Sequence, residues 1–371
     1  MRLLTTSSTA RTASSSTRPR TGSTPRRRLW LWLWVELRSE LSFPYYLRKR
    51  AKSLKFSAQT LFMLERLFSL GYSKTFAERY YQLWGERALA IAEAMEKPLP
   101  RCFRVNTLRV EIPTLTKLLN KKGFQFRRVP WAREGFCLTR EPFSITSTPE
   151  YLSGLLYIQE ASSMYPPVAL DPKPGEIVAD MAAAPGGKTS YLAQLMKNEG
   201  IIYAFDVGEE RLKETRLNLS RLGITNTILI HKSSLHMGEL GIEFDKILLD
   251  APCTGSGTIH KNPERKSNRT MEDIKFCQGL QMQMIKVALE NLKPGGILVY
   301  STCSLEPEEN EFVIQWTLDS FDVELLPLRY GEPALIKPFG VKLSGEIKKA
   351  RRFYPDRHGT SGFFVAKLRK L

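Results

Sequence analysis

Two cysteines and one aspartate stand where a sheet would present them for chemistry. Cys303 follows the apolar run Ile297–Ser301, which opens after Pro294-Gly295-Gly296 and reads as a buried strand. Pro307 suits the first turn of a following helix, and Glu306, Glu308 and Glu309 suit its positive end. Lys246-Ile-Leu-Leu-Asp250-Ala-Pro-Cys253 repeats the pattern of strand, then edge. In open α/β sheets, ligands bind at that edge. A lone cysteine is ordinarily a small buried apolar residue. Two of them beside a carboxylate, without metal-ligand spacing, suit covalent catalysis on an electron-poor ring. A thiolate added to C6 of cytosine makes C5 nucleophilic enough to take a methyl group. A base must then remove the C5 proton so that the thiolate can leave.

A third stretch supplies a cofactor edge. Glu176–Met181 reads as a strand, Ala182-Ala183-Ala184-Pro185-Gly186-Gly187-Lys188 as a tight turn, and Thr189–Met196 as a helix. Glycines let the backbone approach a nucleotide-like ligand, and the helix N–H groups face it. Asp206, ending the next strand (Ile201–Asp206), is placed to bind two ribose hydroxyls. Gly187-Lys188-Thr189 also matches the tail of the phosphate-loop pattern G-x-x-x-x-G-K-T, but its first glycine would fall on Ala182. An adenosyl cofactor therefore ranks ahead of a hydrolysed nucleotide.

These three edges need a framework. From Tyr157 the chain alternates strand and helix: Ile228–His231 is a third strand and Phe244–Asp250 a fourth, with helices over Glu209–Leu222, Met271–Leu292 and Glu308–Leu318. Phe321–Leu328 and Gly362–Leu368 read as strands at the far edge. The fold class predicted is α/β, a Rossmann-like doubly wound sheet ordered 3-2-1-4-5, which brings Asp250, Cys253 and Cys303 together. Ahead of it, Met63–Met95 is patterned as helices, with Ser73 as a cap. A small α+β module follows, with strands over Cys102–Leu108, Phe124–Val129 and near Phe136 and Phe143, and a helix over Ile112–Lys122.

Three motifs together resemble the signatures of the Sun-type RNA 5-methylcytosine methyltransferases. They are Asp180-Met-Ala-Ala-Ala-Pro-Gly-Gly-Lys-Thr189, Leu249-Asp-Ala-Pro-Cys-Thr-Gly-Ser-Gly257 and Ser301-Thr-Cys-Ser-Leu-Glu-Pro-Glu-Glu-Asn310. Gln159-Glu-Ala-Ser-Ser163 and Tyr354-Pro-Asp-Arg-His358, leading into Gly362-Phe-Phe-Val, resemble the flanking motifs, so the likeness runs from about residue 63 to the end. The resemblance implies a class I methyltransferase fold with S-adenosyl-L-methionine as cofactor. It implies Cys303 as nucleophile and Cys253 as the residue of product release. DNA enzymes use the Pro-Cys residue as nucleophile, so the second cysteine favours RNA. The resemblance also implies cofactor contacts from residues 182–188 and Asp206, with Arg211 as a helper. Asp250 would lie between the methyl donor and the cytosine N3/N4 edge, and Lys188 would steady the cofactor or the cytosine O2. There are two departures. Ala182 stands where the family often has Cys, and Ser233 or Ser234 stands where the third strand commonly ends in an Asp near the adenine.

Composition sets the remaining expectations. Lys+Arg 55 against Asp+Glu 38 gives +17, which suits a polyanionic partner. Residues 1–60 carry +11 of that charge, in a Ser/Thr/Arg-rich leader of disordered composition. The composition changes sharply near Met63, which leads to the expectation that translation starts there and that the leader is not native. Residues 61–155 are expected to form an RNA-binding module and residues 156–371 the catalytic domain. In the module, Arg101, Arg104, Arg109, Lys121, Lys122, Arg127, Arg128 and Arg133 lie among aromatic residues, which suits single-stranded RNA. Lys261, Arg265, Lys266 and Arg269 are candidates for phosphate contacts. His260 and His358 read as structural. Five cysteines without a C-x-x-C pair argue against a disulfide framework or a zinc site and for a reducing interior. No apolar run is long enough for a membrane span. The chain is thus expected to be a cytoplasmic monomer acting on tRNA rather than rRNA. Two other readings stay open: a silent methyltransferase fold that binds RNA as an assembly factor, and a phosphate-loop NTPase.

Overall fold

The computed structural model of the protein describes residues 58–371. Most of the expected basic leader lies outside the described residues. The first described helix runs Ala58–Ser69, so Met63 sits inside a helix and does not open one. Helices Lys74–Trp84 and Arg87–Met95 follow, the former capped by the Ser73 side chain accepting from Phe76 N. Their apolar face (Leu67, Phe76, Tyr80, Ile91) packs on Ile259 and Leu305, from the loops after the two cysteines, and on Tyr354, at the start of the short helix Pro355–His358.

A four-stranded sheet comes next. It is built from β1 (Cys102–Val105), β2 (Gln125–Val129), β3 (Ala132–Arg140) and β4 (Leu156–Ile158), ordered β2-β3-β1-β4. Helix Ile112–Lys121 covers it through Leu115 and Leu119, which pack with Phe103, Phe124 and Phe136. β4, beyond the expected division at 155, pairs with β1. Phe143 lies in a bend and is exposed, which corrects the strand expected there. Cys102 and Cys137 face each other across β1 and β3 and form a disulfide, which corrects the expectation of unpaired cysteines. The two are 35 residues apart. Only the antiparallel register makes them neighbours, and spacing alone gave no sign of it.

The large sheet begins with β5 (Ile177–Asp180), β6 (Ile201–Asp206), β7 (Thr227–His231), β8 (Phe244–Asp250) and β9 (Leu292–Thr302). These are parallel and ordered β7-β6-β5-β8-β9, the 3-2-1-4-5 arrangement of a doubly wound fold. β10 (Val323–Leu326), β11 (Glu332–Pro333), β12 (Arg351–Phe353) and β13 (Phe363–Lys370) extend it antiparallel, with β13 on β9 and β10 on β13. β5, β8 and β9 are buried on both faces, as strands covered by helices on each side must be. After Cys303 the helix begins later than expected. Pro307–Glu309 forms a 3₁₀ turn, and the α-helix runs Glu311–Ser320. Asn310 (φ −122°, ψ −94°) separates them, because its side chain is held by the Thr302 hydroxyl and the Ser304 carbonyl.

Candidate active site

Register decides which side chains meet. Asp250 and Ser301 are partners across β8 and β9, so the residues beyond each strand end share one edge. The loop after Cys253 is drawn onto the Cys303 backbone. Gly257 N donates to Cys303 O at 2.9 Å, and Gly362 N donates to Gly257 O at 2.9 Å. A Cβ at Gly257 would lie 2.2 Å from Gly362 O, so only glycine permits this approach. The result is a Cys253 Sγ–Cys303 Sγ distance of 3.3 Å, with both sulfurs on partly exposed residues.

The hydrogen bond within the pair favours ionising Cys303. The Cys253 thiol donating to its sulfur holds the Cys303 pKa below the usual thiol value. Burial and Asp250 oppose this, while Lys188 and Arg265 assist. Cys253, as the donor, is pushed well above its ordinary value by that bond and by burial. Glu306 and Glu308 are both engaged by Arg79 at 2.8 Å. Lys188 Nζ lies 2.6 Å from Asp250 Oδ2 and 2.8 Å from Ser163 Oγ. Burial works against the lysine's charge, but Asp250 outweighs it and the Lys188 pKa is raised. Ser301 Oγ donates to Asp250 Oδ1 at 2.6 Å. Cys303 and Cys253 are thus one pair and Asp250 and Lys188 another, and the charges of the second act on Cys303. Lys188 is committed to Asp250 and Ser163, which is not how a phosphate-loop lysine is used.

The cofactor edge lies at the end of β5. Ala183 N donates to Phe205 O, and Gly186 N closes a turn on Ala183 O. Gly186 has φ +95° and precedes helix Gly187–Leu195, with Pro185 exposed at the turn. Asp206 accepts from Ala184 N at 3.1 Å and Gly208 N at 2.9 Å, and pairs with Arg211 at 3.3 Å. Arg211 also donates to Ala184 O. The donor set fits an adenosyl group. It offers a carboxylate for ribose hydroxyls, a glycine turn at a helix N-terminus, and exposed apolar Val207 beside Asp206. Ser233 is only half-buried, and its hydroxyl caps the next 3₁₀ turn by accepting from Leu235 N.

Several assignments change. Arg104 is only 1% exposed, so it is not a surface RNA contact. Its guanidinium donates to Gln159 Oε1, Gly187 O and Ser190 Oγ and lies over the Tyr191 ring, tying the small sheet to the cofactor turn. Lys266 is buried and bound to Leu70 O and Glu96, so it is not free for phosphate. Arg109 donates to Leu222 O, and Lys122 pairs with Glu150. Arg265 donates to Gly255 O and Thr258 Oγ1. Lys121, Arg127, Arg128, Arg133 and Lys261 are exposed, as expected. His358 accepts from Tyr354 N, consistent with a structural part. Sequence reasoning quoted Ser163, Ser301 and Asp180 inside motifs without giving them roles, and the structure gives most to the Asp180 side chain. That carboxylate is fully buried and accepts from Thr189 Oγ1 at 2.7 Å; burial lifts its pKa to about 6. Among the described residues there is no cluster able to hold a metal ion and no helix long and apolar enough to cross a membrane.

Comparison with known proteins matches residues 167–369 to the family model described as 16S rRNA methyltransferase RsmB/F. Residues 73–161 match the N-terminal domain of 16S rRNA methyltransferase RsmF. A mouse 28S rRNA (cytosine-C(5))-methyltransferase is 41% identical over 286 residues, 75% of this chain but 36% of its own length. A tRNA (cytosine(49)-C(5))-methyltransferase of Pyrococcus abyssi is 39% identical over 303 residues, 80% of this chain and 96% of its own. The crystal structure of a methyltransferase homolog protein from Pyrococcus horikoshii superposes with TM-score 0.80 at 77% identity, covering 85% of this chain and all of that one.

Proposed function

Because the chain belongs to the RsmB/F, or Sun-type, methyltransferase family, we propose that it methylates C5 of cytosine in RNA. The observation carrying the proposal is the Cys253–Cys303 pair, 3.3 Å apart beside the Lys188–Asp250 pair. In this reading Cys303 is the nucleophile. Its thiolate forms a bond to C6, and the ring electrons move to C5. S-adenosylmethionine, when bound, supplies the electrophilic methyl group that C5 takes. Ala182, Ala183, Ala184, Pro185, Gly186, Gly187 and Asp206 would hold the cofactor, with Arg211 behind Asp206. Release needs the C5 proton to go to a base while its electron pair restores the C5–C6 double bond and the C6–sulfur bond breaks. Cys253 stands beside the departing sulfur, so we assign it to this step. Asp250, held by Lys188 and Ser301, is assigned to the N3/N4 edge of the base.

The target must leave its stack to reach this edge. We assign residues 61–155 to holding the RNA and residues 156–371 to catalysis, with exposed Arg127, Arg128 and Arg133 as the phosphate contacts. The proposed substrate is tRNA. The relative named for tRNA is matched over 96% of its length, whereas the mouse rRNA enzyme is matched over 36%. We further propose a monomer acting in the cytoplasm. The Cys102–Cys137 disulfide would then be an exception to the rule that a reducing interior keeps thiols free. The test is incubation with radiolabelled S-adenosylmethionine and separated tRNA and rRNA, followed by nucleoside analysis. Label in 5-methylcytidine from tRNA is expected. Label in rRNA alone would overturn the substrate assignment, and absence of 5-methylcytidine from both would overturn the reaction and leave the assembly-factor reading.

A further inference from the structure

We propose that Glu309 is a positioning residue that fixes the two cysteines relative to each other. This rests on the roles assigned above to Cys303 and Cys253. Glu309 is fully buried. Its Oε1 accepts from Thr254 N at 2.8 Å and Gln281 Nε2 at 3.2 Å, and its Oε2 accepts from the hydroxyls of Thr254 and Ser304. Thr254 is the residue after Cys253, and Ser304 is the residue after Cys303. One carboxylate thus grips both cysteine loops one residue past each sulfur. Gln281, from helix Met271–Glu290, also donates to Pro252 O at 2.9 Å, so Cys253 is held on both sides. The Glu309 carbonyl in turn accepts from Tyr300 Oη at 2.5 Å, which anchors it to β9.

A buried carboxylate is costly unless its lone pairs are satisfied. Four donors satisfy this one, and three of them come from the residues next to the cysteines. A carboxylate serving the core alone would have no need of that pattern. Holding Cys253 at 3.3 Å from Cys303 is what the release step requires, because displacements of about 1 Å cost up to roughly hundredfold in rate. Glu309→Gln keeps the shape and one acceptor but sets an NH₂ group against a donor, which loosens the grip.

The experiment measures steady-state methylation of total RNA and runs the same mixtures on a denaturing gel. Glu309→Gln should lower kcat by about tenfold or more, with half-saturating RNA and S-adenosylmethionine within about twofold of the parent. It should also accumulate a protein–RNA adduct that the parent does not. Thr254→Val and Ser304→Ala each delete one hydroxyl donor and should shift kcat in the same direction by less; they decide the matter if Glu309→Gln fails to fold. Parent-like kcat in these variants, or a loss confined to half-saturation, would overturn the proposal. Cys253→Ala run in parallel separates the two levels. No adduct there contradicts the roles of the cysteines themselves, whereas an adduct there with parent-like Glu309→Gln contradicts only Glu309.

Discussion

The two edges of the site are built differently. The cofactor edge is shaped mostly by backbone: a turn closed by Gly186 N, a positive φ at Gly186, and amide donors to Asp206. The cysteine edge is held by buried side chains drawn from distant segments. Arg79 reaches Glu306 across 227 residues, and Arg352, fully buried, pairs with Glu311 and donates to Leu305 O. A backbone-built edge is written in consecutive residues. An edge clamped by buried ion pairs is not, and it depends on the N-terminal helices being in place.

That contrast can be broken at either edge. The largest effect belongs to Cys303→Ala, which should lower methyl transfer by more than about a thousandfold while leaving cofactor binding by calorimetry unchanged. Next is Arg79→Met, which strands Glu306 and Glu308. It should cost about 3–5 kcal/mol in denaturant unfolding, since removing one partner leaves a buried charge uncompensated. A third effect lies in pH. Burial raises Glu309 to about 7 from 4.5 and Asp180 to about 6 from 3.8. Both acids are held above their unfolded values, so the stability they contribute is full below the unfolded pKa and is lost as pH rises through the folded one. Stability should therefore decline between about pH 4 and 7 on account of these two groups. Glu309→Gln should flatten the upper part of that slope and Asp180→Asn the lower part, as read by unfolding midpoints across pH. The smallest effect is Arg211→Ala. Arg211 is exposed, and Asp206, which is buried, keeps its two backbone donors without it, so the loss should cost less than about 1 kcal/mol of stability and a change confined to cofactor half-saturation is expected.

The same contrast explains what the sequence made legible. Apolar runs ending near Asp180, Asp206, His231, Asp250 and Cys303 were enough to place five parallel strands, and the doubly wound fold class then gave their order. The cofactor turn was legible because its proline and two glycines are consecutive. Arg104 was misread as an RNA contact, since nothing local shows that Tyr157, Tyr191 and Gln159 close over it. Glu309 was read only as an acid at a helix start, because its donors come from positions 254, 281 and 304. The Cys102–Cys137 bond likewise depended on a strand register.

The most direct test of the central claim uses Cys253→Ala with total RNA and S-adenosylmethionine, resolved on a denaturing gel. A covalent protein–RNA adduct should accumulate and should vanish when Cys303→Ala is added. Absence of any adduct, with methyl transfer surviving in Cys303→Ala, would contradict Cys303 as the nucleophile and pass that role to Cys253.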